Sequence, residues 1–348
     1  MKIYFISGIR RGGGDTIDDP VNDVSDNVGS LRGAYIVYDE ENNKCFMVDS
    51  GTAETGNKLI VPFLQNYLGI NYLDAIFITH FDYDHSEGVQ EIIKGLNGEV
   101  GAIYSSGVYD NETSPKYERN IPAQDEVNNQ CDEYNIDHIY VSTSDSFQYG
   151  DMFVNIVNPL DGDYNPPQER GGENNHGSHN VVVYVQYGDF YALFTGDHAG
   201  SNLYNNVYDR IDKPVTYYTM PHHGNISYGS STYLDGVYPK IASYESYGTQ
   251  NWEDMYDFLE GREGTTPWSL EIDGDMEIKA FKNGRYLLNN ITITEKTIIL
   301  SRKRFIPDRT GTFKFYTTRR NLIRPDETEF RYGKNKIKYF DEDDYEIT

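Results

Sequence analysis

The sequence predicts an α/β fold followed by a β-rich C-terminal segment. Up to about residue 262, short apolar runs alternate with amphipathic stretches, as in chains that build sheets covered by helices. Polar motifs directly follow several of the apolar runs, and beyond Arg262 the pattern changes to β-like runs separated by polar residues. The 348 residues suffice for one large domain and a small module, which we place at residues 1–262 and 263–348.

The first half of the chain alternates between predicted strands and helices. Residues 58–68 have the apolar spacing of a helix, and Gly69 is suited to cap it. Residues 74–79 form a short apolar run typical of a strand buried on both faces, and a helix over residues 88–96 follows. Further runs predict strands at residues 2–7, 34–38, 45–48 and 102–104.

The second half continues this alternation and then becomes β-rich. Gly188 and Asp189 form a turn signal between two apolar runs and predict a hairpin. Helical patterns cover residues 233–237 and 252–259 and part of residues 121–134. The remaining runs predict strands at residues 139–141, 153–157, 181–187, 190–194, 215–220 and 241–244, and in the C-terminal segment at 276–281, 286–288, 291–300, 312–316 and 336–340.

The charge of the chain is strongly negative but unevenly distributed. Thirty Lys and Arg against 55 Asp and Glu give a net charge of −25. Residues 279–338 carry +11, the last ten residues carry −5, and the first 278 residues carry −31. The basic segment can therefore bind either an anionic ligand or the acidic body of the protein itself.

The composition also bears on the cellular compartment. Cys45 and Cys131 are the two cysteines, and they form no CxxC motif, so a reducing compartment is expected. No apolar run approaches the roughly 18 residues of a membrane span, and the N-terminus lacks the pattern of a signal peptide. We expect a cytoplasmic protein without a membrane partner, and the sequence indicates no protein partner.

Four potential metal ligands lie within six residues, directly after the predicted strand at residues 74–79. They are His80, Asp82, Asp84 and His85. A strand end followed by a tight loop fixes the direction of the backbone, so these side chains can converge on one or two divalent ions. Imidazole and carboxylate ligands suit Zn, Mn or Fe. A solvated polar loop is the alternative, but such loops rarely have this spacing after an apolar strand.

Three further polar motifs lie at the ends of predicted strands. Asp197 ends the run Phe-Thr-Gly-Asp, and the pair His222 and His223 follows the run at 215–220. His179 and Asn180 directly precede the run at 181–187. Taken alone, each motif is weak or moderate evidence for a site, because Asp in turns and His in polar loops are common.

The distribution of the eight histidines favours a common site. Five of them lie in these strand-end motifs, and His198 directly follows Asp197. His138 and His176 lie elsewhere in the sequence, and a surface position is expected for both. Histidines that serve only packing would not concentrate at strand ends in this way.

In combination the motifs resemble the metallo-β-lactamase superfamily. The segments VDSG, THFDYDHSEG, SHNVVVYV, LFTGD and MPHHG occur in the order typical of that superfamily, and they more narrowly resemble the hydrolase domain of ComEC-type competence proteins. The resemblance covers approximately residues 33–250. It implies an αββα sandwich with a two-metal site at one edge of the sheets. Residues 1–262 would form the catalytic domain, and residues 263–348 a β-rich basic extension with an acidic tail.

The resemblance also implies which residues would bind each of the two ions. His80 and Asp82 would bind the first ion, Asp84 and His85 would bind the second, and Asp197 would bridge both.

The same resemblance assigns roles to two further pairs. His222 would complete the second site, and its neighbour His223 would contact substrate or serve as an alternate ligand. His179 falls where the remaining ligand of the first ion would lie, and Asn180 competes with it for that role or contacts substrate.

Two positions depart from the pattern of the family. The glycine-rich turn after the first strand is not evident in residues 8–30, where Asp15 after three glycines is the nearest equivalent. Thr249 stands where the family often has a His that acts late in the reaction or contacts substrate.

Such a site implies a hydrolase that uses two divalent ions, with Zn expected and Mn or Fe as alternatives. Two ions about 3.5–4 Å apart hold a bridging hydroxide, which is a nucleophile near neutral pH because the metals lower the pKa of water. Asp84 is expected to orient or deprotonate this water as well as to bind metal.

The expected substrate is a phosphodiester in a nucleic acid or nucleotide. This expectation rests on the resemblance and on the basic C-terminal segment, in which aromatic residues that could stack bases lie among cationic residues that include Arg302, Lys303, Arg304, Arg319 and Arg320. Docking of these residues on the acidic body is equally compatible with the sequence. Two other functions remain open: hydrolysis of a small ester, lactone or phosphocholine-type substrate, and a metal-containing binding or scaffold protein without turnover.

Overall fold

Two β-sheets packed face to face, with helices on their outer faces, form the centre of the protein. The structure is a computed structural model that describes residues 1–6, 33–109, 117–161, 168–169, 179–198, 207–212, 214–224, 231–245, 252–291, 339–340 and 346–347. One apolar cluster lies between the sheets, a second lies between the first sheet and its helices, and a third covers the outer face of the second sheet. This αββα arrangement confirms the predicted fold class.

The first sheet has eight strands, of which four are parallel. The strands are β1 Lys2–Ile6, β2 Ala34–Asp39, β3 Lys44–Val48, β4 Ala75–Phe77, β5 Ala102–Ser105, β7 Asp137–Tyr140, β16 Met276–Ala280 and β17 Tyr286–Asn290. Their spatial order is β17-β16-β1-β2-β3-β4-β5-β7. The pairs from β17 to β3 are antiparallel, and β3, β4, β5 and β7 are parallel.

The second sheet has seven strands and likewise consists of an antiparallel part and a parallel part. Its strands are β8 Ser146–Tyr149, β9 Met152–Asn158, β11 Val182–Tyr187, β12 Phe190–Phe194, β13 Tyr217–Thr219, β14 Ile241–Tyr244 and β15 Thr266–Ser269, in the order β15-β14-β13-β12-β11-β9-β8. Strands β12 to β15 are parallel, and the others are antiparallel. Two short pairs lie outside the sheets: β6 Val108–Tyr109 with β10 Gln168–Glu169, and β18 Tyr339–Phe340 with β19 Glu346–Ile347.

The helices lie in the connections between strands. They are α1 Ala53–Thr55, α2 Tyr83–Gly95, α3 Tyr117–Tyr134, α4 Ser231–Val237, α5 Trp252–Glu260 and α6 Leu270–Asp273. Two π-helical segments, Gly56–Ile60 and Phe63–Leu68, follow α1, and Gly69 ends them in the left-handed conformation, as its sequence position predicts. No helix in the described ranges is long and apolar enough to cross a membrane.

Helix α2 begins five residues earlier than the sequence pattern indicates. Asp82 is its N-cap residue, with extended backbone, so Asp84 and His85 lie in the first helical turn rather than in a loop. The sequence places the start at Gly88, but that glycine is needed inside the helix. A Cβ atom at Gly88 would lie 2.5 Å from the carbonyl oxygen of Ser50, so glycine lets α2 pack directly against the end of β3.

The predicted boundary at residue 262 does not separate the described strands. β15 extends the second sheet beside β14, and β16 extends the first sheet beside β1. Residues 266–290 are therefore integral to the two sheets rather than part of an appended module. The predicted strands at 291–300 and 312–316, the basic residues after position 301, Asp15, His176 and Thr249 lie outside the described residues, apart from Ile291.

His138 is half-buried, in contrast to the surface position expected from the sequence. Its Nε2 lies 2.9 Å from Ser105 Oγ, and its Nδ1 lies 2.9 Å from Asn128 Oδ1. Its ring also packs against Phe81. Burial lowers the pKa of His138 from 6.5 to about 4, so the ring is neutral in the folded protein at neutral pH.

The low pKa of His138 predicts a loss of stability in mild acid. Between pH 6.5 and pH 4 the unfolded chain binds a proton here that the folded protein does not. The neutral His138 ring therefore contributes its full share to the free energy of unfolding above pH 6.5. This contribution falls by about 1–2 kcal/mol between pH 7 and pH 5. We expect His138→Gln to remove this part of the pH dependence, measured as the free energy of unfolding in urea at both pH values with chelator present. An unchanged difference between the two pH values would contradict the prediction.

Candidate metal centre

The carboxyl ends of parallel strands from both sheets meet at one edge of the sandwich. In the first sheet, Asp49 follows β3 and His80 lies just beyond β4. In the second sheet, Asp197, His223 and Glu245 lie beyond β12, β13 and β14. Neighbouring parallel strands end at the same edge of a sheet, so their terminal polar residues collect at one place.

Hydrogen bonds fix the ring orientation of His80. Asp49 accepts the N–H of Thr79 at 2.8 Å and its hydroxyl at 2.9 Å. Because that hydroxyl donates to Asp49, it accepts a hydrogen bond from His80 Nδ1, which lies 3.0 Å away. The lone pair of His80 Nε2 then faces Asp82 Oδ2 at 3.5 Å and Asp197 Oδ2 at 3.6 Å.

His85 lies between the two sheets. Its Nδ1 is 2.8 Å from Asp49 Oδ2, so the same carboxylate that fixes Thr79 also orients this ring. Its backbone carbonyl accepts hydrogen bonds from Ser50 N–H and Ser50 Oγ. Its Nε2 lies 3.2 Å from Asp197 Oδ1 and 3.3 Å from His223 Nε2.

Two overlapping groups of donors have the composition of metal sites. The first consists of His80, His85 and Asp197, and the second of Asp84, His85 and His223. Within each group one donor atom per residue lies within 4.8 Å of the others. The shared His85 joins the two groups into one centre.

The donor separations match ligands of a single ion better than hydrogen bonds. Bonds of about 2.0–2.2 Å from Zn to nitrogen or oxygen, at tetrahedral angles, place the donors roughly 3.3–3.6 Å apart. Nε2 of His223 lies 3.3–3.6 Å from His85 Nε2, Asp84 Oδ2 and Asp197 Oδ1, and His85 Nε2 lies 3.2 Å from Asp197 Oδ1. The contact between His85 Nδ1 and Asp49 has instead the 2.8 Å length of a hydrogen bond. The residues therefore fit a divalent cation.

The charges of the centre stabilise one another. Burial raises the pKa of Asp84 and of Asp197, but the neighbouring His223 and His85 outweigh it and hold the pKa of both carboxyls below the ordinary value. Burial lowers the pKa of His85, but Asp197 and Asp49 together raise it well above its usual range. A metal ligand must be a neutral imidazole, so ion binding here would release a proton.

The structure favours His223 over His222 in the second donor group. His223 Nε2 lies 3.3 Å from Asp84 Oδ2, and the side chain is 12% exposed. His222 is 30% exposed and lies 3.8 Å from Asp197 Oδ2 at its Nε2. The family resemblance assigns the pair in the opposite order. Both residues lie in a tight turn with positive φ, 51° and 57°.

His179 and Asn180 lie beside the strand end that carries His80, and His179 belongs to neither donor group of the described residues. The backbone here is fixed, because Val181 N–H donates to the carbonyl of Thr79 and Asn158 Nδ2 donates to the carbonyl of Asn180. The Asn180 side chain is buried, and His179 is partly exposed. His198 also belongs to neither group, and burial lowers its pKa to about 3.

Three residues of the centre were not identified from the sequence. Asp49 orients His85, and its position at the end of a strand in the VDSG segment was a usable signal. Asn120 on α3 donates to Asp82 Oδ1 and accepts the N–H of Tyr83, both at 2.9 Å, but no sequence motif marks it. Glu245 directly follows β14, as His80 and Asp197 follow their strands, and that pattern could have indicated it.

Comparison with known proteins supports the resemblance. Residues 31–231 match the family model of the metallo-beta-lactamase superfamily. The curated ComE operon protein 3 of Bacillus subtilis (strain 168) is 26% identical over 189 residues, which cover 54% of this chain and 21% of that protein. The chain therefore matches about a fifth of the length of this relative.

Solved structures with a similar fold have low sequence identity. YhfI from Bacillus subtilis, a metallo-beta-lactamase fold protein, is 10% identical with a TM-score of 0.45, over 77% of this chain and 95% of that chain. CmlA from Streptomyces venezuelae, a diiron beta-hydroxylase, is 12% identical with a TM-score of 0.43, over 71% and 52%.

The family model spans more than half of the chain and includes the strand-end motifs from Asp49 to His223. These motifs form the buried donor groups at the edge of the αββα sandwich. The chain therefore belongs to the metallo-beta-lactamase superfamily and has the fold of that superfamily's metal-dependent hydrolases.

Proposed function

We propose that this protein is a two-metal hydrolase that cleaves phosphodiester bonds. The observation that carries the proposal is the pair of donor groups that share His85, the first of which contains Asp197. The two oxygens of Asp197 face different partners. Oδ2 is directed at His80, and Oδ1 is directed at His85 and His223. This arrangement supports Asp197 as the ligand common to two ions.

The contacts support a specific assignment of the remaining ligands. His80 and Asp82 would hold the first ion, and Asp84, His85 and His223 would hold the second. Two divalent ions, with Zn the best match to these donors, would supply a water of lowered pKa and would polarise the oxygen of the bond under attack. Asp84, a member of the second group in the first turn of α2, would orient that water.

A phosphodiester is the substrate class that the charges favour. The centre is rich in buried carboxylates, so an anionic substrate can approach only where cations neutralise them. The chain also has a basic segment with a net charge of +11 over residues 279–338, which suits a phosphate backbone. The resemblance to the ComEC-type relative agrees with this choice.

A small ester, lactone or phosphocholine-type substrate is the second candidate. The observation in its favour is the small size of the pocket at the centre, in which Tyr35, Met220 and Glu245 lie beside the metal-site residues. A pocket of this kind suits a small group better than a polymer.

We expect Asp84→Ala and His85→Ala each to lower kcat/KM by at least about 100-fold and to reduce the bound metal from two ions towards one, because each removes a ligand of the second ion. Metal content is measured by elemental analysis and folding by circular dichroism. Glu91→Ala, on the outer part of the same helix, is the control and should retain activity and metal. Full activity in either site variant would refute the assignment of the second ion.

His223→Ala and His222→Ala form a matched pair. Both positions have positive φ, so the two substitutions act on similar backbones. We expect His223→Ala to abolish tight binding of the second ion, and His222→Ala to change it by only a few-fold, because the His223 ring lies within the donor group. The measurement is competition with a chromophoric zinc chelator. The opposite ranking would restore His222 as the ligand.

The substrate class can be tested with bis-p-nitrophenyl phosphate, p-nitrophenyl acetate, a lactone and single-stranded DNA in the presence of Zn²⁺ or Mn²⁺. We expect cleavage of the phosphodiester and of DNA, with the DNA reaction weakened by salt because phosphate contacts displace counterions. A chain truncated after residue 291 keeps β16 and β17. It should retain activity on bis-p-nitrophenyl phosphate but lose activity on DNA. Turnover of esters or lactones alone would favour the second candidate.

A further inference from the structure

Glu245 is a buried carboxylate that joins the two sheets at the metal centre. It directly follows β14 of the second sheet and is 5% exposed. Its Oε1 accepts a hydrogen bond from the N–H of Gly33, at the start of β2 in the first sheet. A buried carboxylate costs several kcal/mol unless it is paired or hydrogen-bonded, so its position requires an explanation beyond packing.

Gly33 allows this close contact. A Cβ atom at position 33 would overlap Glu245 Oε1 and the ring of Phe5, so any larger residue would push the carboxylate away. Glycine at this position therefore lets a backbone N–H approach the carboxylate directly. The hydrogen bond fixes one oxygen of Glu245 and thereby directs the other.

The second oxygen of Glu245 faces His223. Oε2 lies 3.6 Å from His223 Nδ1, while Nε2 on the far side of the same ring lies 3.3 Å from Asp84 Oδ2. This is an ion-pair distance, longer than a hydrogen bond. Glu245 thus lies behind the ring, on the side away from the donor group.

The same arrangement exists at His85, where the Nδ1 atom contacts Asp49 at 2.8 Å and the Nε2 atom faces the donors. Metal-binding histidines usually donate their second ring N–H to a carboxylate or carbonyl, which fixes the tautomer and increases the basicity of the ligand nitrogen. His223 also has a backbone φ of 57°, a sparsely populated conformation for a non-glycine residue that persists only where surrounding contacts hold it.

We infer that Glu245 is the positioning residue of the second metal site: it holds the His223 ring with Nδ1–H towards its own carboxylate and with the lone pair of Nε2 towards the ion. The inference rests on the proposed role of His223 as a ligand of the second ion. Glu245 does not itself bind the ion, because it contacts the opposite nitrogen of the ring.

Glu245→Gln tests this role with little change in volume. An amide has one acceptor and one donor end, so it cannot accept hydrogen bonds from both Gly33 and His223. With its NH₂ group towards Nδ1 it favours the tautomer that carries the proton on Nε2, which blocks metal binding. Glu277→Gln is the matched control, because Glu277 is a comparably buried glutamate on β16 that accepts a hydrogen bond from Asn289.

The measurements are the two stepwise affinities for Zn²⁺, by chelator competition, and the absorption spectrum of the Co²⁺-substituted protein. We expect Glu245→Gln to lower the affinity for the second Zn²⁺ ion by about 10–100-fold and to change the affinity for the first ion by no more than a few-fold. It should also change the d–d absorption bands of the second Co²⁺ ion. Glu277→Gln should alter none of these. In a His223→Ala background, Glu245→Gln should have no further effect, because the two residues act as one unit.

Other results would overturn the inference in distinguishable ways. If both affinities and the spectrum are unchanged while the thermal stability of the chelator-treated protein falls, Glu245 only joins the sheets. If Glu245→Gln and His223→Ala lower the affinity for the second ion additively, Glu245 affects that affinity by a route other than His223. If the wild-type chain itself fails to bind a second ion, the proposed function fails first, and the inference fails with it.

Discussion

The carboxylate of Asp49 is the interaction on which the rest of the centre depends. It is 2% exposed and accepts hydrogen bonds from the Thr79 N–H, the Thr79 hydroxyl and His85 Nδ1. Through Thr79 it orients His80, and through its direct contact it orients His85, so one carboxylate sets the tautomers of two imidazoles. It also joins the end of β3 to the end of β4 and to the first turn of α2. The donor atoms can converge only because these three elements are held together.

The centre needs both sheets, and their topology explains its position. In each sheet an antiparallel part provides the broad packing surface, and a parallel part directs successive strand ends to one edge. The first sheet supplies His80 and the helix that carries Asp84, and the second supplies Asp197 and His223. Each donor group combines residues from both sheets, so the centre forms only when the two sheets pack together.

The charges of the centre compensate one another, in contrast to two histidines outside its donor groups. His138 is half-buried and His198 is buried, and burial lowers their pKa values to about 4 and about 3. In the centre, burial acts on Asp197 and His85 as well, but the opposite charges beside them outweigh it. Buried donors held in fixed orientations have the arrangement that a divalent cation requires.

The sequence by itself determined the fold class and most of the strands, and it marked His80 to His85 as candidate ligands, because ligand type, spacing and apolar runs are local properties of the chain. Tertiary structure decided what depends on distant contacts. It brings His223 next to His85, 138 residues away in the sequence, and it brings Glu245 to Gly33, 212 residues away. It also extends α2 back to Tyr83 and places β15–β17 within the sheets. Sequence patterns cannot reveal these features, since the energy that fixes them comes from packing between elements that are far apart in the chain.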